Sequence, residues 1–155
     1  METTNNLMSV KEVKLKYIAD PTTLKRKKIS SSEDAVQTLL EGYDQDTIGM
    51  QEQFIVMLLN RNNRVLGLYK ASTGGITGAI VDIRLIMVTA LKSLATGIIV
   101  SHNHPSFNKN PSNQDVTMTK QIKEACKILD IALLDHIIVT PHHDYYSFAN
   151  EGMLG

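Results

Sequence analysis

The sequence lacks the cysteines, the net charge and the long apolar runs that are typical of secreted, nucleic-acid-binding and membrane-spanning proteins. It contains one cysteine, Cys126, so no internal disulfide can form. Its 16 basic and 16 acidic residues give a net charge of zero, so no global field draws the chain to nucleic acid or to a membrane. No apolar run approaches the roughly 20 residues of a membrane span, and the N-terminus lacks the plan of a signal peptide. We therefore expect a cytoplasmic protein with no membrane partner.

The size and composition are those of one folded domain. With 155 residues, of which 43% are hydrophobic, the chain can build a core without disulfides. Charge is uneven, because the first 30 residues contain seven basic residues and three acidic ones. We expect residues 1–29 to form a basic, partly ordered N-terminal arm, and residues 30–155 to form the domain.

Two features stand out in the arm. Val13, Leu15 and Tyr17 alternate with lysines, which predicts an edge strand. The run from Lys25 to Lys28 can make weak contacts with DNA phosphates, and a solvated, mobile arm explains the same run.

Helix and strand patterns alternate through the rest of the chain. The predicted strands are Phe54–Leu59, Val65–Tyr69, Ala79–Val81, Ile98–Ser101, Ile131–Val139 and Tyr145–Phe148. Helices are predicted to begin at Ser30 or Ser31, at Asp82 and at Ser112, all residue types that cap helices. The helix after Asp82 is expected to bury Leu91 and Leu94 and to end at Gly97. This alternation predicts an α/β fold, with a mixed sheet and helices on both faces.

One short segment carries most of the chemistry, Ser101-His102-Asn103-His104-Pro105. Two histidines at i and i+2 bring two imidazoles together where a strand gives way to a loop. Asp115 lies in the first turn of the helix that Ser112 begins, so its carboxylate can reach them. On its own, Ser112-x-x-Asp115 is a helix capping box. Two nitrogens and one oxygen are a typical zinc ligand set that leaves one position to water, although other divalent ions also accept it.

Hydrolysis at such a site needs a further carboxylate. Zinc lowers the pKa of a bound water to about 7, but a group that is not a ligand must move the proton. Glu52 is our candidate, because it comes just before the central strand; by spacing alone, Glu41 and Glu124 compete with it. Ser112 can hydrogen-bond the water.

At these residues the chain resembles the RadC family, the bacterial branch of the JAB/MPN metalloprotease-like domains. Their JAMM pattern is a distant Glu, then His-x-His, seven residues, Ser, two residues and Asp. His102-x-His104, the seven residues 105–111 and Ser112-x-x-Asp115 match it completely. His102-Asn103-His104-Pro105-Ser106 and Leu134-Asp135-His136 are similar to RadC in particular.

The resemblance implies a three-layer α-β-α sandwich of cytidine-deaminase-like architecture. It also implies Zn²⁺ on His102, His104 and Asp115, with Glu52 as general acid and base and Ser112 orienting the water or stabilising the oxyanion. The substrate would be an unknown protein or peptide, and the family is associated with DNA repair. The chain differs from the family at Phe107, where RadC proteins usually have glycine, and before Ser30, where no helix-hairpin-helix segment is recognisable.

Three functions therefore remain open. The first is a zinc-dependent hydrolase of peptide or isopeptide bonds. The second is a DNA-associated accessory module with a structural or vestigial metal, which the basic arm and Phe107 favour. The third is a metal-dependent nuclease. A zinc deaminase is disfavoured because its cysteine ligands are missing. His136 is expected to be a hydrogen-bonded buried residue and not a ligand, and the oligomeric state, a homo-oligomer included, is open.

Overall fold

A computed structural model describes residues 16, 18, 20–74 and 81–155. Within these ranges the chain forms three α-helices and five β-strands. In chain order they are α1 (Ser32–Leu40), β1 (Gln53–Leu59), β2 (Val65–Thr73), α2 (Ile83–Lys92), β3 (Gly97–Asn103), α3 (Asn113–Ile128), β4 (Ala132–Val139) and β5 (Tyr145–Ser147). The strands predicted at 13–17 and 79–81 lie mostly outside the described residues.

The five strands form one mixed sheet in the order β2-β1-β3-β4-β5. β1 runs antiparallel to both of its neighbours, β2 and β3. β3 and β4 are parallel, and β5 pairs antiparallel with β4 at the edge. Every residue of β1 and β3 is buried, as expected for central strands covered on both faces. The predicted mixed sheet is confirmed.

Alternate residues of each strand face two separate layers of helix. Ile55, Met57 and Leu59 pack with α1 on one face of the sheet. Phe54 and Val56 pack with α2 and α3 on the other. This arrangement confirms the three-layer α-β-α fold, and it places the residues of β3 with even numbers on the side of α3.

The helices begin where the capping residues predict. The Ser31 hydroxyl accepts a hydrogen bond from the Asp34 N–H, and the Asp82 carboxylate accepts one from the Arg84 N–H. Such caps satisfy N–H groups that have no partner inside the helix. None of the helices within the described ranges combines the length and the hydropathy needed to cross a lipid bilayer.

The prediction for the end of α2 is wrong. The helix ends at Lys92 and not at Gly97, which is instead the first residue of β3. Leu91 and Leu94 are 49% and 57% exposed. Leu91 lies about 140° around the helix from the buried Ile86, at 100° per residue, and Leu94 follows the helix with a positive φ of 55°. Neither side chain can therefore reach the sheet.

The end of the basic arm lies against the start of β2. The Ile29 N–H donates to the Asn63 carbonyl, and the Val65 N–H donates to the Lys27 carbonyl. Ile29 is buried in the same core cluster as α1. The boundary between arm and domain at residue 29 stays a prediction.

Candidate metal centre

β3 carries its polar end into the buried layer between the sheet and α3. The strand continues to Asn103, two residues beyond the predicted end, so His102 lies inside the strand and His104 directly after it. His102 is 2% exposed. Its ring stacks on Phe54, with 6.2 Å between ring centroids and 6° between ring planes. Cross-strand packing therefore fixes the plane of this imidazole.

His102, His104 and Asp115 come together at one point, as the sequence predicts. The two Nε2 atoms of the histidines are 3.0 Å apart. His102 Nε2 lies 3.1 Å from Asp115 Oδ1, and His104 Nε2 lies 3.3 Å from Asp115 Oδ2. The three side chains form a group that can hold a metal ion.

These separations fit a small tetrahedral ion. Two ligands about 2.0–2.1 Å from zinc, at a tetrahedral angle, lie about 3.3 Å from each other. The measured separations of 3.0–3.3 Å are close to that value. Two imidazoles and one carboxylate also form a ligand set found in catalytic zinc sites. The role of each residue as a ligand stays a prediction.

The capping box of α3 orients the carboxylate of Asp115 toward the two histidines. The Ser112 hydroxyl accepts from the Asp115 N–H at 3.1 Å, and the Ser112 N–H donates to Asp115 Oδ2 at 2.7 Å. Burial opposes ionisation of Asp115, but the imidazoles of His102 and His104 beside it hold the pKa of its carboxyl far below the usual range. The capping box and the candidate ligand are thus one structure, not alternatives.

His104 is held by the loop that follows it. Its Nδ1 lies 2.7 Å from the Asn108 carbonyl oxygen, to which it can only donate. Burial disfavours a charge on this imidazole, but hydrogen bonds to Asp115 and to the Asn108 carbonyl, together with the negative charges of Asp115 and Glu52, raise the pKa of His104. The surroundings therefore favour positive charge at this point.

Behind His102 lies a chain of buried hydrogen bonds. His102 Nδ1 is 2.8 Å from His136 Nε2, and His136 Nδ1 is 2.6 Å from Thr119 Oγ1. His136 is completely buried, and burial holds its pKa well below the usual value. As expected from the sequence, His136 contacts a candidate ligand and does not join the group itself.

Glu52 comes immediately before β1, at the end of the strand next to the histidines. The register pairs Phe54 with His102, and continuing it by two residues puts Glu52 opposite His104. The charge of Glu52 also contributes to the raised pKa of His104. The role of Glu52 as the catalytic carboxylate stays a prediction.

Asn103, between the two histidines, faces the opposite side of the sheet and fixes the segment before β1. Its Oδ1 accepts from the Gln53 N–H at 2.6 Å. Its Nδ2 donates to the carbonyls of Ile48 and Gln51 at 2.7 and 3.0 Å. The segment that carries Glu52 is therefore tied to Asn103, the residue of β3 that directly precedes His104.

Sequence reasoning missed three of these contacts, those of Thr119, Asn108 and Asn103. Thr119 carried a usable signal, since it lies four residues after Asp115 and so on the same helix face. Asn108 acts through its backbone carbonyl, a group that every residue has, so the sequence contains no signal for this contact.

The mixed sheet, the flanking helix layers and the His-x-His and Ser-x-x-Asp group together define a domain of the JAB/MPN type. The model of the RadC-like JAB domain family matches residues 29–153, so the chain belongs to this family, as predicted.

Several curated relatives share the domain. A UPF0758 protein of Flavobacterium johnsoniae is 47% identical over 132 residues, which cover 84% of this chain and 55% of that protein. A UPF0758 protein of Porphyromonas gingivalis is 40% identical over 104 residues, covering 67% of this chain and 46% of the relative. The chain thus spans about half the length of the curated relatives it matches.

Proposed function

We propose that this domain is a zinc-dependent hydrolase of peptide or isopeptide bonds, with His102, His104 and Asp115 as the zinc ligands. The observation that carries the proposal is the convergence of two Nε2 atoms and one carboxylate within 3.0–3.3 Å. Each of the three side chains also has a partner that fixes its direction, respectively His136, the Asn108 carbonyl and the Ser112 N–H.

Zinc bound to such ligands supplies Lewis-acid activation of a water molecule and of a substrate carbonyl. Glu52 takes a proton from the attacking water and passes it to the leaving amine, so that the amide C–N bond breaks to a neutral amine and a carboxylic acid. Its position opposite His104 at the strand end supports this role.

Ser112 contributes its hydroxyl group. The hydroxyl oxygen accepts from the Asp115 N–H in the helix cap, which fixes the side chain while leaving its hydrogen to donate. Donated to a developing oxyanion, that hydrogen stabilises the transition state more than the ground state.

The test combines zinc content with hydrolysis. Elemental analysis of the purified protein should give one zinc per chain. The protein should cleave a peptide or a lysine ε-amide-linked isopeptide, and Glu52→Gln should lower kcat by about 10²–10⁴-fold while retaining zinc. Glu124→Gln, an exposed acid on α3, is the matched control and should keep full activity. Stoichiometric zinc with undiminished hydrolysis in Glu52→Gln would end this mechanism, and a protein without affinity for zinc would end the proposal.

The DNA-binding and nuclease alternatives have narrower support. In the basic run, Arg26 is paired with Asp20 at 2.6 Å, and Lys25, Lys27 and Lys28 remain exposed. Three lysines can release at most about three counterions on binding DNA, so log Kd would change only weakly with log salt. Metal-dependent cleavage of plasmid DNA by the wild type, lost in Asp115→Ala, would favour the nuclease instead.

A further inference from the structure

We infer that Thr119 and His136 are positioning residues that fix the proton of His102 on Nδ1, so that the Nε2 lone pair faces the metal position before any metal binds. The inference rests on the proposed function, since it assigns a cause to the orientation of one proposed ligand. It follows from the direction of three consecutive hydrogen bonds.

The first bond has only one possible direction. Thr119 Oγ1 lies 2.6 Å from the carbonyl oxygen of Asp115, one helical turn earlier. A carbonyl cannot donate, so the single hydroxyl hydrogen of Thr119 is used in this bond. Towards every other partner, Thr119 can therefore act only as an acceptor.

The second bond follows from the first. His136 Nδ1 lies 2.6 Å from Thr119 Oγ1, so Nδ1 must carry the hydrogen and donate it. In a neutral imidazole the other nitrogen, Nε2, is then an acceptor. The ring cannot turn to exchange the two nitrogens, because it is completely buried and stacks on Phe148 with 4.8 Å between centroids and 10° between planes.

The third bond transfers this constraint to the candidate ligand. His102 Nδ1 lies 2.8 Å from His136 Nε2, and since Nε2 accepts, His102 Nδ1 must donate. His102 Nε2 then carries a lone pair, and this is the atom that lies 3.0 Å from His104 Nε2 and 3.1 Å from Asp115 Oδ1.

The need for Thr119 is specific to His102. The partner of His104 is a backbone carbonyl, which can only accept a hydrogen bond and therefore fixes the proton of His104 on Nδ1 without further help. An imidazole partner such as His136 can either donate or accept, so without Thr119 it allows both tautomers of His102. Partners that orient a ligand imidazole typically contribute 10- to 100-fold to metal affinity.

The experiment uses the full chain and has two readouts. Long-range ¹H–¹⁵N NMR of the metal-free protein reports which nitrogen of His102 is protonated, and chelator competition measures the Kd for zinc. The variants are Thr119→Val, which removes the hydroxyl, and Thr119→Ser, which retains it. Thr38→Val is the matched control, because Thr38 is also buried and also donates to a carbonyl four residues earlier, at 3.1 Å, but on α1.

We expect wild type and Thr119→Ser to show His102 protonated on Nδ1 alone. Thr119→Val should show a mixture of tautomers and a Kd for zinc about 10- to 100-fold higher, whereas Thr38→Val should leave the Kd unchanged. His102 protonated on Nε2 in the metal-free wild type would overturn the inference, and this measurement needs no variant to fold. Tight zinc binding that Thr119→Val leaves unaltered would also overturn it, without touching the proposed function. An absence of zinc binding in the wild type would end the proposed function, while the NMR result would still decide the tautomer.

Discussion

His102 and His104 point at the same position but are held by different parts of the molecule. His102 lies in the central strand β3, stacks on Phe54 and hydrogen-bonds to His136 on β4, which in turn contacts Thr119 on α3. His104 lies outside the strand, and its ring is oriented by the Asn108 carbonyl of the following loop.

The difference separates two requirements that a metal centre places on its protein. Ligand distances must be fixed to within a few tenths of an ångström, and packing between three elements gives that precision to His102. The proposed function also requires a substrate to enter, so one side of the site has to be less tightly packed, and His104 is held by the loop that follows it. We therefore expect the core side, with His102, His136 and Thr119, to contribute to folding as well as to the proposed metal binding. The loop side, with His104 and Asn108, should contribute mainly to the proposed metal binding.

The largest predicted effect tests this separation directly. His102→Ala and His104→Ala should each abolish tight zinc binding, since each removes one of the three proposed ligands. With zinc removed by a chelator, His102→Ala should lower the free energy of unfolding by about 2–4 kcal/mol, because it leaves a cavity and an unpaired nitrogen on His136. His104→Ala, whose side chain is 13% exposed and lies on the loop after β3, should lower it by less, about 1 kcal/mol.

Urea denaturation in the presence of chelator measures both values. Equal losses of stability in the two variants would show that the core side and the loop side are not energetically distinct. Thr38→Val again serves as a reference for the loss of a buried polar group far from the site.

The second prediction concerns Asn103, which ties the core side to Glu52. Asn103→Ala removes the acceptor of the Gln53 N–H and the donor to the Ile48 and Gln51 carbonyls. The segment before β1 should shift, and a displacement of about 1 Å at a catalytic group can cost about 100-fold in rate. We expect kcat to fall about 10- to 100-fold, while the Kd for zinc stays within about threefold because the ligands are held from the opposite face.

Peptidase kinetics and chelator competition on the same preparation separate these two quantities. Asn150→Ala is a suitable control, since Asn150 is exposed and donates only to the Ser32 hydroxyl among its described side-chain contacts. A zinc affinity that fell in parallel with kcat would mean that Asn103 supports the ligands and not Glu52.

Contacts between residues that are close in the sequence could be predicted. Local signals were reliable: Ser112 and Asp115 are three residues apart, and the cap that this spacing predicts is the contact that aims the carboxylate. Apolar runs with short turns predicted the strands, whereas Glu52 could be chosen over the other acidic residues only through the family pattern, and its role stays a prediction.

Contacts that depend on sheet register could not be predicted. His136 is 34 residues from His102, and they meet because β3 and β4 pair in parallel, with a register shift near Ile99. No local pattern encodes that shift. The error at the end of α2 has a different origin. Leu94 continues an apolar repeat that the chain leaves when the helix ends at Lys92, and Leu91 lies within the helix but off its buried face.

The smallest predicted effect lies on the loop side, at Phe107. This residue is 53% exposed, has a positive φ of 67°, and its ring contacts that of His142 with 4.7 Å between centroids and 41° between planes. Phe107→Gly stabilises the fold by relieving about 1–2 kcal/mol of backbone strain. It also destabilises the fold, because the lost ring contact costs about 0.5–1.5 kcal/mol and the greater conformational entropy of glycine in the unfolded chain costs up to about 1 kcal/mol.

These terms nearly cancel, so we expect a change in unfolding free energy of less than about 1 kcal/mol and a Kd for zinc within about threefold of wild type. The matched change on the core side is Phe54→Leu, since Phe54 stacks on His102 and is 1% exposed. It should cost more than about 1 kcal/mol through the cavity it leaves, and it should weaken zinc binding because the plane of His102 is no longer fixed. If Phe107→Gly proved the more damaging of the two in urea denaturation and chelator competition, the loop would be part of the rigid support of the site, and the distinction between the two histidines would fail.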